Sequence, residues 1–353
     1  MITINYGKDW VKTTYDTLAA SDIGVYLKPG MTAAVKPNLV IPSPAVDGAT
    51  THPEVVEGII LFLHDFGVKK INIMESSAVG YSTKQAYKVC GYEALEKKYG
   101  VPLIDLKSSP AVTLCHDGLD IQIAKAALEA EFLINVPVLK AHCQTRLTCC
   151  MKNLKGCIPE KEMRRFHSLG LHKPIAALSA LLPVDYCVVD GICGDLSFEE
   201  GGSPVEANRI IAGRDPVLID SYCAGLIGYR PEGIGYLAHA RENGLGQFYS
   251  RDTEIIELNT EYKPVRQQKS ARLSERYRGN NIEEDAACSV CYASLIFALH
   301  RLGRGTNKKI CLGQGFKGKK MDAIGIGNCT QGFDICVKGC PPKAINIIEA
   351  LND

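Results

Sequence analysis

The chain is predicted to fold as an α/β protein, with a mostly parallel sheet carrying helices on both faces and a small cysteine-rich module at its C-terminal end. Three observations carry that prediction. Short apolar segments alternate with helix-like segments through the first two-thirds of the 353 residues, the pattern of successive βαβ units. Polar strings stand where the predicted strands end, which is where open α/β sheets bind ligands. The last 66 residues hold six of the fifteen cysteines.

Taken in order, Met31–Val40 (MTAAVKPNLV) reads as a buried strand running into a loop. Pro53–Phe66 has apolar residues at helical spacing, with Thr51 or His52 before the proline of its first turn and Gly67 closing it. Val68–Met74 is a strand, Lys84–Cys90 and Glu93–Tyr99 are short helices, and Leu103–Leu106 is a short strand entered through Pro102. Phe132–Leu139, Tyr186–Val189 and Arg209–Ala212 continue the strands, and Asp215–Ile227 and Gly235–Asn243 the helices. Thr260–Asn281 is polar, basic and short of large aliphatics, which breaks the pattern. The expected division is an α/β ligand-binding domain over residues 1–260, a linker or clasp over 261–284, and the cysteine module over 285–353, with a helix over Tyr292–Arg301.

Composition excludes several classes. A net charge of +1 argues against nucleic acid or an anionic membrane as main partner. No run of about 20 apolar residues predicts a membrane span. The start, MITINYGKDWVK, lacks the apolar stretch of a secretory signal. The expected location is therefore cytoplasmic. Fifteen cysteines then read as reduced thiols and metal ligands rather than a disulfide framework, a richness that fits an anaerobe. The composition does not fix the oligomeric state.

The module's cysteines are Cys288-Ser-Val-Cys291, Cys311, Gly327-Asn328-Cys329, Cys336 and Gly339-Cys340-Pro341-Pro342. A Cys-x-x-Cys pair with a distant Cys-Pro suits a cubane iron–sulfur cluster, in which each iron takes one thiolate. The expected ligands of a 4Fe–4S cluster are Cys288, Cys291, Cys329 and Cys340, because the last two stand beside glycine or proline in turn-like contexts; Cys336 is the alternative to Cys329. Glycine neighbours let backbone N–H groups approach the sulfides. Four thiolates also suit zinc, the alternative metal. Cys143, Cys149, Cys150 and Cys157 lack a Cys-x-x-Cys pair and read as small buried residues. His167 and His172 have no evident third partner.

In the sheet domain, Lys36-Pro37-Asn38, Glu75-Ser76-Ser77, the string Pro137 to His142 and the string Asp190 to Asp195 each follow a predicted strand. A shared crevice would gather Lys36, Lys140 and His142 as catalytic groups. Asn38, Glu75, Lys152, Asn153, Asp190 and Asp195 would be its binding groups. The mix of cations, amides and one imidazole points to an anionic small molecule, with His142 as proton donor. No dinucleotide or P-loop fingerprint is present, and no nucleophile elbow.

Six strings carry a resemblance: Val35 to Val40, His52 to Val56, Asn135 to His142, Met151 to Gly156, Asp190-Gly191 and Ala212 to Val217. In this order, over about residues 30 to 230, the chain resembles the domain of unknown function 362 family, whose members are described as iron–sulfur cluster-binding proteins. That family commonly has Lys-Thr-His where this chain has Lys140-Ala141-His142. Many members carry a standard ferredoxin insert, whereas here the cysteine pattern is divergent and C-terminal. The domain is also distantly similar to the N-terminal part of the nickel-dependent lactate racemase family. The function expected is an oxidoreductase or reductive activator passing electrons from the cluster to a ligand at the strand ends, served by an electron-donor protein. The alternatives are a binding or sensor protein with a structural cluster, and a metal-dependent isomerase of racemase type.

Overall fold

The computed structural model describes residues 1–265, 269–270, 272–277, 281–303 and 306–352. Its main sheet has eight strands: β1 (Ile2–Tyr6), β2 (Thr32–Pro37), β3 (Lys70–Glu75), β4 (Leu103–Asp105), β7 (Phe132–Val136), β10 (Tyr186–Asp195), β11 (Pro204–Gly213) and β12 (Ile255–Leu258). Two hairpins intervene, β5 (Ala111–His116) with β6 (Leu119–Ala124) and β8 (Lys140–His142) with β9 (Arg146–Thr148). The order across the sheet is β12-β1-β11-β10-β7-β2-β3-β4. β11 alone runs against its neighbours; every other pairing in the sheet is parallel. The α/β class with helices on both faces is therefore what the chain adopts.

Both faces of the sheet are covered, so the strands are apolar at nearly every position rather than alternating with polar residues. Alternate side chains feed two cores. Ala33, Val35, Tyr186 and Val188 pack with the helix Pro53–Asp65, while Ala34, Cys187 and Val189 pack with the helices Glu160–Ser168, His172–Leu181 and Pro216–Leu226. Pro53 occupies the first turn of its helix, where its missing N–H costs nothing, and Gly67 (φ 95°) turns the chain back into β3.

The structure corrects four expectations. β1 and β12 form one edge of the sheet and were not anticipated. The segment Tyr186–Val189 is only the start of a ten-residue strand, so Asp190 and Asp195 lie within β10 and not after it. The polar residues there are matched by β11, with a register shift between Gly191 and Cys193. The expected strand at Arg209–Ala212 likewise runs over Pro204–Gly213 and is antiparallel. Finally, the helix expected from Tyr292 begins at Ser289, which puts Cys291 inside its first turn.

The C-terminal region builds its own four-stranded parallel sheet from β13 (Ile282–Glu284), β14 (Ile310–Leu312), β15 (Ile324–Ile326) and β16 (Ile335–Val337). The helices Ser289–Leu302 and Ala344–Asn352 cover it, and Leu295, Leu299, Ile310, Leu312, Ile324 and Ile347 form its core. Part of the expected linker lies outside the described residues; around Ser270 the chain is tied to the α/β domain through Ser270 N–H donating to the Ile227 carbonyl (3.0 Å). Among the described residues no helix is long and apolar enough to cross a membrane.

Candidate functional site

Parallel strands bring their carboxyl ends to one edge, and a cavity of about 80 Å³ opens there. β2 supplies Lys36 and the residue beyond it, Asn38; β3 supplies Glu75 and then Ser76. The short helix Cys150–Asn153 and the turn after it supply Lys152, Asn153 and Lys155. His167, Glu199 and, from the C-terminal region, Cys288, Ser289 and Val290 complete the wall.

Asn153 organises the floor. Its Oδ1 accepts from Lys36 Nζ and from Asn38 Nδ2, each at 3.0 Å, and its Nδ2 donates to Asn135 Oδ1 at 2.8 Å. Lys36 Nζ also meets Glu75 Oε2 at 2.9 Å, in a pair almost wholly removed from solvent. Burial raises the Glu75 carboxyl, and Lys36 acts against it. Gly156 is required here by close approach: a Cβ would lie 1.9 Å from Glu75 Oε1 and 2.5 Å from Lys36 Nζ. The short helix carrying Lys152 and Asn153 is pinned from below. Asp220 accepts from the N–H groups of Cys150 (2.6 Å) and Met151 (3.1 Å).

Lys152 reaches Glu199 Oε2 at 3.4 Å and Thr148 Oγ1 at 3.3 Å. Lys155 faces His167 Nε2 at 3.5 Å. Burial first, and then the neighbouring Lys152, push the Lys155 ammonium down to about 7.

Of the residues expected to converge, Lys36, Asn38, Glu75, Lys152 and Asn153 line this cavity. Lys140, His142, Asp190 and Asp195 do not. Lys140 Nζ donates to the carbonyls of Ala49 (2.6 Å) and Glu199 (2.7 Å), and burial lowers it to about 7. His142 Nδ1 accepts from the N–H groups of Gln144 and Thr145, both at 3.0 Å, so its ring proton resides on Nε2, which faces the Glu199 carboxylate. Burial depresses His142 to about 3, so the ring is neutral and its role is to hold Glu199. Asp195 accepts from Ser197, Phe198 and Ser203 N–H groups and shapes the loop that carries Glu199. Sequence reasoning missed Glu199, Lys155 and Ser289, and found no partner for His167. Lys155 alone carried a signal, standing two residues after Asn153 in the string Met151 to Gly156.

Asp190 lies within β10, away from the cavity lining. It accepts from both the backbone N–H and Nδ1 of His52, each at 2.8 Å. Burial works against a charged ring, but the Asp190 carboxylate outweighs it and raises His52 to about 10. The sign follows directly. A pKa raised from an unfolded value of about 6.5 means this pair's contribution is complete below that pH and is lost as pH rises through the folded value. In a ¹H–¹⁵N NMR titration the His52 ring is expected to stay protonated through pH 8. In Asp190→Asn it should be neutral by pH 7, with stability lower by about 3 kcal/mol. A His52 titrating near pH 6.5 in the unmodified protein would contradict the assignment.

Beside the cavity, the half-buried Cys291 has its thiol pushed far up, first by burial and then by Cys288, Cys340 and Cys329, which lie near it. The loops bearing Cys329 and Cys340 are laced together: Asn328 N–H donates to the Gly339 carbonyl at 3.0 Å and Gly339 N–H to Asn328 Oδ1 at 2.8 Å. Arg164 Nη1 stands 3.9 Å from Cys340 Sγ. Cys336 instead turns toward Thr330 Oγ1 and the Gly327 carbonyl, both at 3.8 Å. Cys311 Sγ lies 3.9 Å from a Glu283 carboxylate oxygen. Two further groups, His142–Cys143–Glu199 and Cys149–Cys150–Asp220, bring ligand atoms within 4.8 Å of one another and could hold a single metal ion.

The thylakoid-associated protein sll1697 of Synechocystis is 26% identical over 234 residues, covering 63% of this chain and 71% of that protein. Among solved structures, the lactate racemase apoprotein of Thermoanaerobacterium thermosaccharolyticum is similar with a TM-score of 0.43 at 13% identity. A Thermotoga maritima protein is similar with a TM-score of 0.36 at 15% identity. These likenesses cover 64% and 52% of this chain, and the chain spans only 57% and 51% of those structures. The family described as "Domain of unknown function (DUF362)" matches residues 33–225, more than half of the sequence and every strand-end residue that floors the cavity, and the chain belongs to that family.

Proposed function

We propose that this protein is an iron–sulfur oxidoreductase or reductive activator that passes electrons from a 4Fe–4S cluster held by Cys288, Cys291, Cys329 and Cys340 to a ligand bound at the strand ends. The observation that carries this reading is the position of Cys288. It is one of the four proposed ligand thiols and also part of the cavity wall. A cluster placed there would touch the ligand site directly, as direct electron transfer requires.

The Cys-x-x-Cys pair with a distant Cys-Pro is the ground for reading a cluster here, and zinc on four thiolates is the alternative. When bound, the cluster would supply single electrons. The chain's own groups divide the remaining work. Cys340 is exposed whereas Cys288 is buried, so the outer edge of the cysteine set faces solvent and the inner edge faces the cavity. That outer edge is where an electron-donor protein would dock. Arg164, and Lys317 near Cys329, place positive charge there. Lys155, rather than His142, is placed to donate a proton within the cavity, because it lines it and its ammonium is lowered to about 7. A chain with fifteen cysteines, four of them assigned to the cluster, fits the reducing, cytoplasmic setting proposed for it.

Anaerobic purification followed by iron and sulfide analysis and electron paramagnetic resonance tests the proposal. A reduced low-potential ferredoxin or flavodoxin should convert the cluster to its paramagnetic form, and oxidation should reverse this. A protein without iron refutes the cofactor. A cluster that carrier cannot reduce leaves the cofactor standing and refutes the redox role in favour of a structural one.

A further inference from the structure

We propose that the strand-end cavity binds a small singly charged carboxylate that also carries a hydrogen-bond donor, an inference that rests on reading this cavity as the ligand site. It comes from polar atoms that the fold leaves without partners. Asn38 Oδ1, Ser76 Oγ and His167 Nδ1 are buried with no hydrogen-bond partner, and all three residues line this one cavity. Each such atom is costly to leave with nothing polar beside it. Three around one space mark a space built for a polar occupant.

The atoms also say what kind. Asn38 gives an amide hydrogen to Asn153 while its carbonyl oxygen, an acceptor, has no partner. In its charged form Lys155 can only donate toward His167 Nε2, which leaves the ring proton on Nδ1 as a donor. Ser76 Oγ is either. Charge selects further. Lys36 is committed to Glu75, and Lys152 reaches Glu199. Among the described residues Lys155 makes no ion pair, so one cation is spare. One spare cation suits one negative charge, a carboxylate, better than a doubly charged phosphate. The volume, about 80 Å³, is several times the roughly 10–15 Å³ that one water needs on the same measure. That admits a small organic acid. The acceptor at Asn38 asks for a hydroxyl or amino hydrogen on that acid.

The test is calorimetric titration of the iron-loaded full chain, under anaerobic conditions and without reductant, using glycolate, acetate and inorganic phosphate. Glycolate should bind saturably at one site. Acetate should bind about tenfold more weakly, since it leaves Asn38 Oδ1 unmet, and phosphate more weakly still. Lys155→Gln should weaken glycolate about 10- to 100-fold. Ser76→Ala should also weaken it while leaving the melting temperature unchanged or raised, because it deletes an oxygen that has no partner in the fold. Absence of saturable carboxylate binding overturns the inference, as does equal glycolate affinity in the unmodified protein and both variants. Because no reductant is present, the outcome separates from the redox proposal. Carboxylate binding beside a cluster that the carrier proteins cannot reduce refutes only the electron-transfer reading. A reducible cluster beside a cavity that binds no carboxylate refutes only this one.

Discussion

Cys340→Ser and Cys288→Ser are each expected to remove the iron from the anaerobically prepared protein, against about four irons per chain in the parent. The loss should be close to complete, because each iron of the cubane has one protein thiolate and these loops have no spare one to offer. Cys336 is engaged with Thr330 and the Gly327 carbonyl, and Cys311 lies across the small sheet beside Glu283. Cys336→Ser and Cys311→Ser should therefore keep iron near the parent level. The structural consequence should be local. Leu295, Leu299, Ile310 and Ile324 give the four-stranded sheet its own apolar core. The loops around Cys329 and Cys340 flank β16 and are tied to each other by the Asn328–Gly339 hydrogen bonds. In a unit held by a metal, binding free energy is folding free energy, so limited proteolysis should cut between residues 327 and 343 in the iron-free variants and spare the helix Ser289–Leu302. Full iron content in Cys340→Ser would end the ligand assignment. About twice four irons in the parent would point to further ligands in the buried Cys143 to Cys157 stretch.

How much of this was legible in the sequence depended on how local the signal was. Pro53 and Gly67 bracket a helix by backbone chemistry alone, and that helix was placed to within a residue. Lys36, Asn38 and Glu75 could be found because a parallel strand puts whatever follows it on one edge of the sheet. β1, β12 and the antiparallel direction of β11 were hidden because they depend on partners more than 200 residues away in two of the pairings. The same blindness misplaced Asp190. It follows an apolar run, which looks like a strand end, but β11 lies beside it and carries the strand onward to Asp195. His142 was attractive because an imidazole near neutral pH is a ready acid. Two backbone N–H groups on Nδ1 and a carboxylate on Nε2 cannot be seen in a string of letters. Glu199 and Lys155 acquire meaning only through the loop closures that bring them to the cavity.

Lys36→Met is expected to cost about 3–5 kcal/mol of stability at pH 7, read as a shift of the denaturant midpoint at matched iron content. The change leaves Glu75 buried with its other contacts, the N–H groups of Leu39 at 2.9 Å and Ser76 at 2.7 Å, but with no cation. It also leaves Asn153 Oδ1 with one donor of two. Glu75 is already raised by burial while Lys36 pulls the other way, so without the lysine it must rise further. A carboxyl raised above its unfolded value of about 4.3 destabilises most at high pH. That penalty fades as pH falls through the folded value toward the unfolded one. The gap between parent and variant should therefore narrow on acidification. The double variant Lys36→Met/Glu75→Gln should recover part of the loss at pH 7 and show little pH dependence, because a neutral amide leaves no charge to bury, although its single oxygen replaces only one of the two that accept from Leu39 and Ser76. A cost under about 1 kcal/mol, or a gap indifferent to pH, would mean that the pair is solvated and that the cavity floor is not the dry, charge-balanced surface on which a single spare cation at Lys155 could select an anion.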